Sequence, residues 1–144
     1  MNELFRDKTI QKTYWAVVKN KPPYITERLT HYLIKNEQQN KSKAYNEEKK
    51  GSLKAELAYT LIASIANYHL LEINLFTGRH HQIRAQLSAI GCPIKGDLKY
   101  GFDRSNQDGG IHLHARKLVF VHPVSKEIVT IIAPVPQEVI WKAI

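Results

Sequence analysis

Two strand-like runs, residues 54–65 and 68–76, flank Ala66-Asn67, and so short a gap favours a tight turn. Antiparallel pairing follows, since a parallel partner would need a crossover of a dozen or more residues. Residues 13–18 are rich in aromatic and β-branched side chains and read as a strand, closed off by Pro22-Pro23 because proline cannot donate to a ladder. Residues 113–121 and 127–132 are again strand-like, with His122-Pro123-Val124-Ser125 between them.

Between the strands the pattern changes. Thr77 can cap a helix whose apolar positions Ile83, Leu87 and Ile90 fall on one face, and Gly91 can end it in a left-handed conformation. A helix tail before Ile10 and a short helix through Trp141 are read at the two ends, and residues 92–110 are rich in turns. Residues 27–34 fit helix or strand, and the polar stretch 35–52 reads as a loop. Short connections between most strands predict an α+β fold, with a mostly antiparallel mixed sheet and a few helices.

At 144 residues the chain is the size of one domain, or most of one. No apolar run approaches the ~20 residues needed to cross a bilayer, and the first residues lack a signal pattern, so a cytoplasmic location is expected. Cys92 is the only cysteine; no internal disulfide can form, and a buried small side chain is its simplest reading. The net charge of +8 favours polyanionic partners such as RNA or DNA.

The stretch Thr77-Gly78-Arg79-His80-His81-Gln82-Ile83-Arg84 carries the most chemistry. A glycine turn entering a helix presents backbone N–H groups and a positive dipole end, and Arg79, His80 and His81 add donors suited to phosphate or carboxylate. Arg84 falls one turn later on their face. The same spacing also describes an ordinary amphipathic helix with solvated basic residues. His112 and His114 share a strand face, but a pair falls short of the three or four ligands of a zinc site, so core or hydrogen-bonded histidines are expected rather than a metal site. Tyr14 and Trp15 point to opposite faces of their strand, and an aromatic face beside basic residues can stack on a nucleobase. Asp97, in Gly96-Asp97, reads as a turn residue with a local hydrogen bond.

Four motifs in order resemble the RluA-type pseudouridine synthases. Lys12-Thr13-Tyr14-Trp15-Ala16 resembles that family's Lys-x-Tyr-x-Ala, and residues 77–84 its Gly-Arg-x-His-Gln-Ile-Arg. Gly91-Cys92-Pro93-Ile94-Lys95-Gly96-Asp97 resembles Gly-x-Pro-Ile-x-Gly-Asp, and Leu113-His114-Ala115 with His122-Pro123 resembles its Leu-His-Ala strand and following turn. The resemblance implies a pseudouridine-synthase-like fold and isomerisation of a uridine in ribosomal or transfer RNA, without metal or organic cofactor. It further implies that Tyr14 stacks on the flipped uracil and assists proton movement. Arg84 would pair with the nucleophilic aspartate, and Leu113 would help wall the base pocket. Arg79 and His81 would meet phosphate or hold the turn.

That nucleophile belongs to a His-Arg-Leu-Asp motif upstream of the tyrosine strand, and no such motif occurs in this sequence. The resemblance therefore implies that residues 1–144 are the C-terminal part of a single catalytic domain, truncated at the N-terminus and inactive alone, with Arg84 awaiting an acid the chain does not provide. A non-catalytic RNA-binding module is the rival expectation, and self-association through exposed sheet edges a third. His80 and Leu57 depart from the small residue and the threonine usual at those places.

Overall fold

A computed structural model describes residues 10–65, 68–102, 111, 113–121 and 128–132. Seven strands form one sheet: β1 (Ile10–Lys19), β2 (Thr26–Asn36), β3 (Lys41–Tyr45), β4 (Leu53–Ile65), β5 (Tyr68–Leu75), β6 (Leu113–Val121) and β7 (Ile128–Ile132). Their order is β3-β2-β4-β5-β1-β6-β7, and every described neighbouring pair is antiparallel. One α-helix, α1 (Gln82–Ala89), and a 3₁₀ turn at Leu98–Tyr100 complete the described elements. This is the α+β, antiparallel architecture the strand runs predict.

The β4–β5 hairpin forms as expected, with Ile65 opposite Tyr68. Residues 27–34 belong to β2, where Leu29, His31 and Leu33 are all buried. The buried histidine between the two leucines hides the two-residue period from a count of apolar positions. Within the expected loop 35–52 lies β3, which pairs with β2 from Tyr32↔Tyr45 to Asn36↔Lys41. Its alternation runs through buried Ser42 and exposed Lys43, so no apolar period announces it. The expected terminal helices fall largely or wholly outside the described residues, as does Ala66-Asn67, while Ile10 already belongs to β1.

The main core lies on one face of the sheet. There Ala16, Val18, Leu57, Leu71 and Ile73 meet Ile83 and Leu87 of α1, all buried. A smaller cluster on the other face joins Val17 and Leu70, with Trp15 packed against them. Beyond the last β1–β6 pair, Ala16↔Leu113, the chain following α1 takes over as partner of β1. Ile94 bridges Val18, with Lys19 N–H to the Pro93 carbonyl at 3.0 Å and Lys95 N–H to the Val17 carbonyl at 2.8 Å. Gln86, fully buried on α1, donates to His31 Nδ1 at 2.8 Å and so ties the helix to β2.

Candidate functional site

The turn before α1 is built from side chains. Gln82 Oε1 accepts the Thr77 hydroxyl at 2.7 Å and the Arg79 N–H at 3.0 Å, while Gln82 Nε2 donates to the Glu56 carbonyl at 3.0 Å. Thr77 Oγ1 also accepts the Glu56 N–H at 2.9 Å, which fixes the turn to β4. Thr77 therefore does not cap the helix. The helix begins at Gln82, behind His81, which holds a left-handed conformation (φ 51°, ψ 28°) and makes no side-chain cap bond. The amides expected to face an anion are thus partly engaged within the turn.

Arg84 leaves the first turn of α1 and meets Asp97. Arg84 Nε donates to Oδ2 at 2.9 Å and Nη2 to Oδ1 at 2.8 Å, the forked geometry that a guanidinium and a carboxylate share. Asp97 is 1% exposed and the Arg84 side chain 20%. This corrects the expectation that the chain provides no acid for Arg84, and it corrects the local reading of Asp97. The positive φ of Gly96 (88°) lets the backbone turn there, and Asp97 reaches a helix residue thirteen positions back. The hydrogen bonds to Asp97 push the Arg84 pKa up.

A second layer holds that pair. Arg84 Nη1 donates to His81 Nε2 at 3.2 Å, and because arginine is always a donor, His81 must carry its proton on Nδ1. That proton points to the Tyr100 oxygen at 2.9 Å, which also accepts the Ser42 N–H at 2.8 Å. The Arg84 guanidinium stands 4.8 Å above the Tyr100 ring, and the His80 and His81 rings stack at 3.8 Å. Of the five guanidinium N–H groups, three are engaged, leaving two for a further acceptor.

Burial, then the neighbouring charge of Arg84, pushes the His81 pKa down from 6.5 to about 4. The folded state therefore excludes a proton that the unfolded state binds between those values, so stability is complete above pH 6.5 and falls as the pH drops toward 4. Replacing His81 by Asn should flatten this dependence, as read from urea midpoints across the window. An equally steep decline in the variant would assign it to another group.

Tyr14 belongs to a different wall of the same face. It packs with Leu113 against the core cluster that includes Ile83 and Leu87, and burial pushes its pKa up. Opposite it β6 carries a bulge: Thr13 pairs with Lys117 and Tyr14 with Ala115, which leaves Arg116 over the Trp15 ring at 4.5 Å. Among the sequence-predicted residues, the fold joins Arg84 to His81 and places Tyr14 with Leu113. No hydrogen bond or ring contact among the described residues joins Tyr14 to Arg84. Arg79 is exposed, with Nε bonded to the Lys54 carbonyl at 2.9 Å. Tyr100 and Ser42 are members of the network that spacing did not reveal, because their links to it are long-range. His112 lies outside the described residues, and no cluster of three metal-ligating side chains occurs among the described ones.

The chain is similar to several known proteins. The family model described as RNA pseudouridylate synthase matches residues 1–89. An uncharacterized RNA pseudouridine synthase of Synechocystis is 34% identical over 91% of this chain and 41% of its own length. The ribosomal large subunit pseudouridine synthase C of Vibrio cholerae is 35% identical over 90% of this chain and 42% of its own. The chain thus spans about two fifths of these relatives. The tRNA pseudouridine synthase C of Pasteurella multocida is 28% identical over 93% of the chain. The solved structure of human RNA pseudouridylate synthase domain containing 4 shares the fold, with a TM-score of 0.74 at 24% identity over 94% of this chain and 61% of that one.

Proposed function

Because the chain belongs to the RNA pseudouridylate synthase family, we propose that it provides the tyrosine and arginine walls of a site that isomerises uridine to pseudouridine in RNA. The observation that carries this reading is Arg84, anchored by Asp97 and His81 with two N–H groups still to give, on the helix whose apolar residues pack against the Tyr14 cluster. Such an arginine can hold a second carboxylate ionised and oriented, the role the nucleophile of this reaction requires. Asp97 serves as its support. Two wall residues, Tyr14 and Leu113, offer an aromatic face and an aliphatic one to a base taken out of its stack. Ribosomal or transfer RNA in the cytoplasm is the proposed substrate, and residues 1–144 the C-terminal part of the catalytic domain.

In the isomerisation the bond from C1′ of the ribose to N1 of uracil breaks, a bond from C1′ to C5 forms, the hydrogen on C5 leaves as a proton, and N1 takes up a proton. RNA labelled with tritium at C5 therefore reports turnover as tritiated water. The chain alone should release none. Joined to a segment carrying His-Arg-Leu-Asp it should release label, and Tyr14→Ala should lower the rate by roughly a hundredfold or more. Release by the chain alone would show that it already holds a nucleophile. A joined protein that folds, binds RNA and releases nothing would overturn the proposal.

A further inference from the structure

The described sheet ends at β3, and between its free edge and α1 runs a groove of about 560 Å³, within the ~300–1,000 Å³ of ligand sites. Lys41, Lys43 and Tyr45 line it from β3, Ala85 and Ser88 from the helix, and Tyr100 closes it. The strand edge is held in place. Ser42 N–H bonds to the Tyr100 hydroxyl, Lys99 Nζ donates to the Gln39 and Asn40 carbonyls at 3.2 Å each, and His80 reaches Ser42 Oγ at 2.9 Å and Asn40 Oδ1 at 3.1 Å.

The groove is cationic. Lys41 Nζ stands 5.4 Å from the centre of the Tyr100 ring, while Lys43 and Lys49 stand 5.1 and 5.7 Å from that of Tyr45. Lys35 is paired with Glu37, and Glu47 and Glu48 lie exposed on the following loop, yet no carboxylate pairs with Lys41, Lys43 or Lys49 among the described residues. A ring face positions an ammonium without using up its N–H donors, so each can still meet an oxyanion. Lysines along a sheet edge also oppose pairing with another protein strand. The occupant these features favour is a polyphosphate chain.

We propose that this groove holds the sugar–phosphate backbone of an RNA strand beside the nucleotide undergoing isomerisation, through Lys41, Lys43 and Lys49. Tyr100 links the two places, one side of it closing the groove while its ring and hydroxyl meet Arg84 and His81. This inference rests on the RNA-isomerase reading and adds to it a sequence-independent contact outside the reacting site.

Its test is the salt dependence of binding to an oligouridylate of about twelve nucleotides. For single strands log K changes with log salt by roughly 0.7 per phosphate contact, so Lys41→Ala with Lys43→Ala should lower the slope by roughly 1.4 and weaken binding roughly 25-fold at 0.1 M salt. The paired Arg substitutions should restore both. Lys117, exposed on a hollow of the opposite face beside Trp15, should leave the slope unchanged when replaced by Ala. A slope retained in the double Ala variant overturns the groove, whether it is then empty or occupied by another protein strand, and leaves the RNA reading intact. An equal loss per lysine at Lys117 overturns it in favour of diffuse attraction to a chain of net charge +8. If the unaltered chain shows no salt-dependent binding at all, the RNA reading fails and the groove with it.

Discussion

Asp97→Ala should destabilise the chain by about 3–5 kcal/mol, measured by urea denaturation. The carboxylate is 1% exposed and takes two donors of Arg84, so its removal strands a guanidinium that cannot lose its proton. The asymmetry between breaking a buried ion pair and replacing it sharpens the expectation. Arg84→Met combined with Asp97→Leu should recover most of the loss, because no unpaired charge remains. A single Asp97→Ala variant within 1 kcal/mol of the parent would mean that water screens the pair far better than its burial implies.

Leu87→Ala should cost about 2.7–5 kcal/mol, the range for leucines deleted from a packed core. Leu87 is 0% exposed and belongs to the cluster in which α1 lies against Leu71 and Ile73. A helix of eight residues is too short to persist alone, where ~12–15 are needed, so tertiary packing must hold it. Arg84 is carried by that same helix. Hydrogen exchange of the α1 amides should therefore quicken more than that of β4 or β5, and a loss under 1 kcal/mol would assign the docking to the polar ties of Gln82 and Gln86 instead.

What could be read from the residues alone was the part written in local patterns. The β4–β5 hairpin has long runs and a short gap, β1 has its aromatic and β-branched run with prolines beyond, and the helix ending at Gly91 has its apolar spacing. β2 and β3 were opaque for opposite reasons: in β2 a buried histidine interrupts the apolar alternation, and in β3 a buried serine is accommodated by hydrogen bonds to its hydroxyl and amide. The helix start was misplaced because Thr77 has the chemistry of a cap, yet its hydroxyl is taken by Gln82 and Glu56. Arg84 and His81 stood out in the sequence, whereas the Arg84–Asp97 pair needed the fold, since nothing local ties residues thirteen apart. The motif resemblance marked Asp97 without disclosing what it holds.

The bridge from Ile94 to Val18 fastens the segment bearing Asp97 directly onto the strand bearing Tyr14. Asp97 lies three positions from that joint and Tyr14 four, so a displacement of β1 is passed to the arginine anchor through a single bridge. The strand that carries Tyr14 and the segment that anchors Arg84 are thus tied to each other through backbone as well as through side chains.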